Sequence, residues 1–141
     1  MENLATHKDS KKPVPRLLLV DDDPVFCKVL AEVAKRERIP IVCFTSVKEA
    51  YAKVRDIDFD IALLDYDLGP VTGVQLANFI VGHHQKGASA LLVSNLGELK
   101  NADFPSFIKS SVNKHGGAYK VLVAALEQFD TMERKKTITV P

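Results

Sequence analysis

The feature that most constrains this chain is its alternation of short apolar runs with segments of helical periodicity. The runs at residues 17–20, 61–64 and 90–93 are continuously apolar, which is typical of strands buried on both faces of a sheet. We interpret residues 39–44 and 106–108 as two further strands. Strand–helix repeats pair their strands in parallel through right-handed crossovers. The sequence therefore predicts an α/β fold in which helices cover both faces of a parallel sheet.

Capping sequences mark where three of the helices begin. A side-chain oxygen before the first turn can accept from its free N–H groups, and a proline fits that turn without losing a hydrogen bond. The candidates are Asp23 before Pro24, Ser46 with Glu49, and Thr72 with Gln75.

Length and composition favour one globular domain. The chain has 141 residues, of which 46% are hydrophobic and 26% charged. Residues 1–15 are polar and are expected to form a disordered leader, whereas the domain itself occupies residues 16–130. We interpret residues 131–141 as a C-terminal tail.

Charge and hydropathy exclude several classes of partner. The formal net charge of +1 gives no electrostatic basis for binding nucleic acid or a membrane surface. No apolar run is long enough to span a bilayer, and the first residues lack the apolar stretch of a signal peptide. Cys27 and Cys43 lack metal-binding or redox spacing and are interpreted as reduced thiols. These features predict a cytoplasmic protein.

Polar residues follow directly after the apolar runs. Because the carboxyl ends of parallel strands meet at one edge, we expect these side chains to lie close together. Several carboxylates in one place repel one another unless a cation joins them, and oxygen ligands suit Mg²⁺. A carboxylate, a hydroxyl, a lysine and a divalent cation together can accept a phosphoryl group. The residues are Asp21, Asp22, Asp23, Asp65, Asp67, Ser94, Asn95 and Lys109.

The pattern resembles the receiver domains of two-component response regulators over about residues 16–130. The resemblance rests on Leu19-Val20-Asp21-Asp22-Asp23-Pro24, Leu63-Leu64-Asp65-Tyr66-Asp67-Leu68 with Gly73, Val93-Ser94, and Ile108-Lys109. It implies a flavodoxin-like, doubly wound five-stranded sheet of order 2-1-3-4-5, an order for which a receiver is a known example.

The resemblance also implies a role for each site residue. Asp65 would accept the phosphoryl group, Ser94 would be the switch hydroxyl, and Lys109 would pair with the phosphoryl group. Mg²⁺ would be bound by Asp22 and Asp65 directly, by Asp67 through its backbone carbonyl, and by Asp21 through water.

A stand-alone receiver would signal through altered contacts with other proteins. Its donor would be a histidine kinase or a histidine phosphotransfer protein, and its downstream partner is not indicated by the sequence. It would not be an enzyme, because its self-catalysed phosphoryl transfer is a single turnover. Homodimer formation is left open.

The sequence departs from the family pattern in four places. Ser110 stands where a proline usually follows the lysine, and Ser106 replaces the aromatic residue normally found three places before it. Asn95 occupies a position usually held by a small residue, and we expect it to shield the acyl phosphate from water. Residues 95–105 leave so little room that the fourth helix, between strands four and five, is predicted to be short or missing.

Other readings of the same residues stay open. A pseudo-receiver that no longer switches, acting as a protein-binding or dimerisation scaffold, is the main alternative. A metal-dependent phosphatase is more distant, because a second nucleophile or general base is missing from the expected place. Taken singly, the acidic residues could be only helix caps and turn residues, but that leaves Ser94 and Lys109 unexplained.

Overall fold

A five-stranded parallel sheet organises the molecule. The computed structural model describes residues 13–84, 87–95 and 104–138. The strands are β1 Leu17–Val20, β2 Ile41–Phe44, β3 Ile61–Asp65, β4 Ser89–Ser94 and β5 Ile108–Asn113. Their order is β2-β1-β3-β4-β5, and every pairing is parallel, which confirms the predicted fold and strand order.

Four α-helices in the described residues connect and cover the strands. They are α1 Pro24–Arg36, α2 Val47–Lys53, α3 Gly73–Phe79 and α4 Ala118–Ile138. The three predicted caps are present, because Asp23, Ser46 and Thr72 each accept from a backbone N–H in the first turn that follows. Thr72 and Gln75 form a reciprocal capping box.

Alternating side chains of the central strands feed two separate cores. Leu17 and Leu19 of β1 point to the face covered by α1 and α4, whereas Leu18 and Val20 point to the face covered by α2 and α3. This is why the strands read as continuously apolar: both of their faces are buried.

Strand β5 differs from the prediction in its position. The predicted strand at residues 106–108 lies mostly before the observed strand, which runs from Ile108 to Asn113 and forms an edge of the sheet. Ala90 pairs with Ile108 and Leu91 with Ser110, so Lys109 is an extra residue at a bulge. An edge strand tolerates polar side chains, and its apolar residues were therefore a poor guide to its bounds.

The structure describes the predicted C-terminal tail in large part, but little of the predicted N-terminal leader. Helix α4 continues to Ile138, so residues 131–138, predicted as tail, are helical. Met132 packs against the core on the α1 and α4 face, which explains why the helix does not end near residue 130. Residues 1–12 of the predicted leader lie outside the described residues, as do residues 96–103, where the fourth helix was predicted to be short or missing.

Within the described residues, no helix combines the length and the low charge that crossing a membrane requires.

Candidate functional site

Three carboxylates meet where β1 and β3 end. Asp21, Asp22 and Asp65 each place a carboxylate oxygen within 4.8 Å of the others. Asp21 is fully buried, Asp65 is 6% exposed, and Asp22 is exposed. The site is therefore a partly open pocket with its charge concentrated at the bottom.

Backbone N–H groups of the turns hold the two buried carboxylates in place. The Asp23 N–H donates to Asp21 Oδ1 at 2.9 Å, and the Asp67 N–H donates to Asp65 Oδ1 at 3.3 Å. The Asp23 carboxylate caps α1, accepting from the Val25 N–H through Oδ1 at 3.0 Å. The Asp67 carboxylate accepts from the Gly69 N–H at 3.2 Å through its Oδ1.

Gly73 is required by the close approach of α3 to β3. Its backbone N–H donates to the carbonyl of Tyr66 at 2.8 Å. A Cβ atom at this position would stand 2.6 Å from the backbone oxygen of Asp65, too close for any side chain. The glycine therefore lets the first turn of α3 press against the backbone that carries Asp65.

The lysine in this pocket is Lys114. Its Nζ lies 3.0 Å from Asp21 Oδ1 and 2.8 Å from Asp21 Oδ2. Asp23 and Asp65 each place an Oδ2 at 3.9 Å from the same ammonium. Only 11% of the Lys114 side chain is exposed, so its charge acts in a largely desolvated place.

The prediction that Lys109 serves this site is corrected by the structure. Lys109 is exposed at the bulge near the start of β5 and lines a groove between β5 and α4. Lys114 follows the last residue of β5, where Asn113 is paired with Ser94 of β4. It is therefore Lys114 that reaches the edge at which Asp65 and Ser94 lie.

Burial and like charge perturb the pKa of Asp65. Desolvation, followed by the charge of Asp21, raises the pKa of Asp65 to about 6, although Lys114 opposes the shift. Burial works to lower the pKa of Lys114, but the hydrogen bond and charge of Asp21 outweigh it, and the pKa is raised. The lysine stays charged and attached mainly to Asp21, whereas Asp65 is held less firmly in its ionised form.

The donor set fits a hard divalent cation. Among the described residues, Asp21 Oδ2 is a fully buried oxygen without a hydrogen-bond donor in good geometry, although the Lys114 ammonium is near. Such an orphaned acceptor is costly unless a water or an ion completes it. Asp21, Asp22 and Asp65 offer only oxygen, the ligand type that Mg²⁺ prefers.

A cavity of about 460 Å³ opens above these groups. Ser94, which is buried at the end of β4, lines it together with the exposed Asn95, and both positions agree with the prediction that they would share this edge. Asp22, Asp65 and Lys114 line the same cavity. The space is large enough for a phosphoryl group and its water shell.

Comparison with known proteins now identifies the family. The family model described as the response regulator receiver domain matches residues 17–109, well over half of the chain. The chain belongs to the response regulator receiver domain family. The match covers Asp21, Asp22, Asp65 and Ser94 but ends before Lys114, whose place in the receiver site is given by the geometry alone.

Solved structures of receiver domains share the fold. A CheY-like receiver domain protein from Methanospirillum hungatei JF-1 has a TM-score of 0.72 at 20% identity, covering 87% of this chain and 99% of that chain. The response regulator TrrA from Thermotoga maritima, in complex with Mg²⁺–BeF, gives 0.60 at 24% identity, covering 79% and 97%. A Burkholderia pseudomallei response regulator with a phosphorylated aspartic acid gives 0.65 at 18%, covering 89% and 75%. No curated protein sequence matches the chain.

Two of the predicted departures were counted from Lys109, and counting from Lys114 moves them to other residues without removing them. The residue after the lysine is now His115, still not proline, and the residue three places before it is Ser111, still not aromatic. The segment between β4 and β5 comprises residues 95–107, which is two residues longer than predicted.

The sequence did contain a signal for Lys114. A strand that starts at Ile108 needs about six residues, at roughly 3.3 Å each, to reach the edge where Ser94 lies.

Proposed function

We propose that this receiver domain takes a phosphoryl group from a phosphohistidine onto Asp65, with Mg²⁺, and signals by altered contacts with other proteins. The observation that carries the proposal is the convergence of three carboxylates with the desolvated Lys114 ammonium at one edge of the sheet. Such an arrangement is costly as structure alone, because the buried acidic groups outnumber the cation that faces them.

The reaction would be an in-line displacement at phosphorus. A carboxylate oxygen of Asp65 would form the new P–O bond as the P–N bond to the donor histidine breaks, and the imidazole would leave with that electron pair and take up a proton. When bound, Mg²⁺ would neutralise charge on the phosphoryl oxygens. The product would be an acyl phosphate on Asp65.

The residues of the chain would divide the remaining work. Asp22 and Asp65 would bind the metal directly, Asp67 through its backbone carbonyl, and Asp21 through water. Lys114 would move from Asp21 toward a phosphoryl oxygen, a short shift because its Nζ is already 3.9 Å from Asp65 Oδ2. The Ser94 hydroxyl would donate to another phosphoryl oxygen from the end of β4.

The transfer would be stoichiometric, one phosphoryl group for each chain, and the protein would therefore be a signalling module. The donor would be a histidine kinase or a histidine phosphotransfer protein. The chemistry also predicts that a small acyl phosphate can replace the protein donor, because the receiver itself holds the groups that stabilise the transition state.

A second function is favoured by one observation. Ser111 stands three places before Lys114, where an aromatic side chain would be expected to relay the phosphate signal to the surface. A scaffold that binds proteins without switching would keep the acidic pocket and lack that relay. The two functions differ in whether amide shifts extend beyond the pocket after modification.

The test is to incubate the protein with acetyl phosphate, with and without Mg²⁺, and to follow intact mass and amide NMR shifts. We expect one phosphoryl adduct that requires Mg²⁺ and is absent from Asp65→Asn. Absence of an adduct, or an adduct that persists in Asp65→Asn, would refute the proposal. An adduct whose shifts stay within the pocket would favour the scaffold.

A further inference from the structure

An aromatic ring closes one side of the Lys114 ammonium. The Nζ of Lys114 lies 4.7 Å from the centroid of the Phe26 ring, over its face. Phe26 is in the first turn of α1 and is half-buried against the core on the α1 and α4 face. Asp23, which caps the same turn, accepts from the Phe26 backbone N–H at 3.3 Å. The ring is therefore fixed by the same turn that carries the acidic residues.

The ring and the carboxylate hold the ammonium differently. The ammonium donates a directional hydrogen bond to Asp21 Oδ1 at 3.0 Å and has Oδ2 at 2.8 Å, whereas attraction to a ring face extends to about 6 Å from the centroid. An ammonium that leaves Asp21 for a nearby anion can stay over the ring as it moves. The ring also keeps water from that side of the cation, which strengthens its field in the pocket.

We propose that Phe26 is a positioning residue that keeps the Lys114 ammonium at the acidic pocket both before and after an anion binds there. This inference rests on the proposed function, since the anion it concerns is the phosphoryl group on Asp65. It assigns a role in the reaction to a residue of α1 itself, in addition to Asp22 and Asp23, which precede the helix. Phe26 would act through Lys114, whose ammonium lies over its ring.

A purely structural role for Phe26 predicts something different. If the ring only fills space in the core, its loss should loosen the whole first turn of α1 and weaken metal and anion binding together. If the ring positions Lys114, its loss should weaken binding of a phosphoryl mimic and spare the metal, because a lysine ammonium is not a metal ligand. Tyrosine keeps the ring face and leucine keeps only the apolar volume, so the two substitutions separate the roles.

The experiment compares the wild type with Phe26→Leu and Phe26→Tyr. Amide NMR titrations give the affinity for Mg²⁺ alone and then for beryllofluoride, a phosphoryl mimic, at saturating Mg²⁺. We expect Phe26→Leu to weaken beryllofluoride binding about three- to tenfold while changing Mg²⁺ affinity less than about twofold, and Phe26→Tyr to behave as the wild type. The Lys114 ε-methylene protons should show an upfield ring-current shift with and without beryllofluoride, and Phe26→Leu should lose it.

Three results would overturn the inference. They are unchanged beryllofluoride affinity in a folded Phe26→Leu, a parallel loss of Mg²⁺ and beryllofluoride affinity, and absence of the ring-current shift in the wild type. Failure of the wild type to bind beryllofluoride would instead refute the proposed function. In that case the ring-current shift of the protein alone still decides whether Phe26 holds the lysine.

Discussion

Two buried polar clusters lie at different places on the same sheet, and they differ in charge and in how completely their polar groups are hydrogen-bonded. At the carboxyl edge, Asp21 and its neighbours are charged and incompletely satisfied around Lys114. Between the sheet and α4, Gln128 joins Ser89 to Ser110 through neutral hydrogen bonds. We call the first the acidic cluster and the second the Gln128 cluster.

The Gln128 cluster uses every group that its central amide offers. The Gln128 Oε1 accepts from Ser110 at 2.7 Å, and its Nε2 donates to Ser89 Oγ at 2.7 Å and to the Ala90 carbonyl at 3.2 Å. The Ser89 hydroxyl in turn donates to the sulfur of Met132 at 2.9 Å. A buried amide with both N–H groups and its oxygen engaged in this way fixes α4 on the sheet.

The contrast teaches how to tell a structural polar cluster from a functional one without knowing the ligand. The larger cavity, about 780 Å³, lies beside the Gln128 cluster, and the smaller one, about 460 Å³, beside the acidic cluster. Cavity volume alone would therefore select the Gln128 cluster, which is the structural one. Unbalanced charge and an orphaned acceptor point to the right one.

The largest expected difference concerns the two lysines, one beside each cluster. Replacing Lys114 by methionine should slow phosphorylation of Asp65 by acetyl phosphate about a hundredfold, because a preorganised cation that stabilises the transferring group is lost. The matched control Lys109→Met should react at the wild-type rate, since Lys109 is exposed beside the Gln128 cluster. The measurement is the initial rate of phosphorylation, followed by intact mass. Slow phosphorylation of Lys109→Met together with a wild-type rate for Lys114→Met would show that Lys109, not Lys114, serves the site.

Stability should separate the same pair of variants. Lys114→Met leaves the buried Asp21 carboxylate without its counter-charge, and we expect a loss of about 3 kcal/mol in the free energy of unfolding near neutral pH. Lys109→Met should change it by less than about 0.5 kcal/mol. Urea unfolding followed by circular dichroism measures both. Equal values for the two variants would contradict the view that Asp21 depends on Lys114.

The two lysines also show how much of the fold and of the site could be predicted from the sequence. The fold was predictable because β1, β3 and β4 are buried on both faces and the helix caps are local. Asp21, Asp22, Asp65 and Ser94 were placed at the correct edge for the same reason, since each one ends or follows a buried strand. In each case the signal is a local pattern that the tertiary structure does not override.

The position of Lys114 depended on something that no local pattern encodes. Strand β5 is an edge strand with polar side chains, and the bulge at Lys109 shifts its register against β4. The two apolar residues Phe107 and Ile108 therefore indicate a strand that ends too early, and Lys109 directly follows them. The end of α4 was missed for a related reason, because Met132 is held by contacts with Ser89 that the charged sequence around it does not suggest.

The acidic cluster should also give the protein a pH dependence that the Gln128 cluster cannot. The folded-state pKa of Asp65 is about 6 against an ordinary value of 3.8, so between these values the folded protein holds a proton that the unfolded chain has released. This stabilisation is present below the ordinary value and is lost as the pH rises through about 6. We expect the free energy of unfolding without metal to fall by about 3 kcal/mol over that window relative to Asp65→Asn.

Urea unfolding at a series of pH values, with Asp65→Asn as the matched control, isolates this contribution. The difference between the two proteins should shrink when Mg²⁺ is saturating, because a bound cation favours the ionised carboxylate. A difference that does not vary with pH would show that Asp65 keeps an ordinary pKa in the folded protein.

The smallest expected effect tests the Gln128 cluster itself. Gln128→Leu keeps the apolar volume but leaves the buried Ser89 hydroxyl without its amide donor, and we expect a loss of about 1 kcal/mol in the free energy of unfolding. Ser110→Ala removes the exposed end of the same cluster and should cost less, since water can replace that hydroxyl at Gln128. In both variants, Mg²⁺ affinity and the rate of phosphorylation should stay at wild-type values. A Gln128→Leu protein that is stable but impaired in phosphorylation would break the comparison, because it would make the neutral cluster part of the functional site.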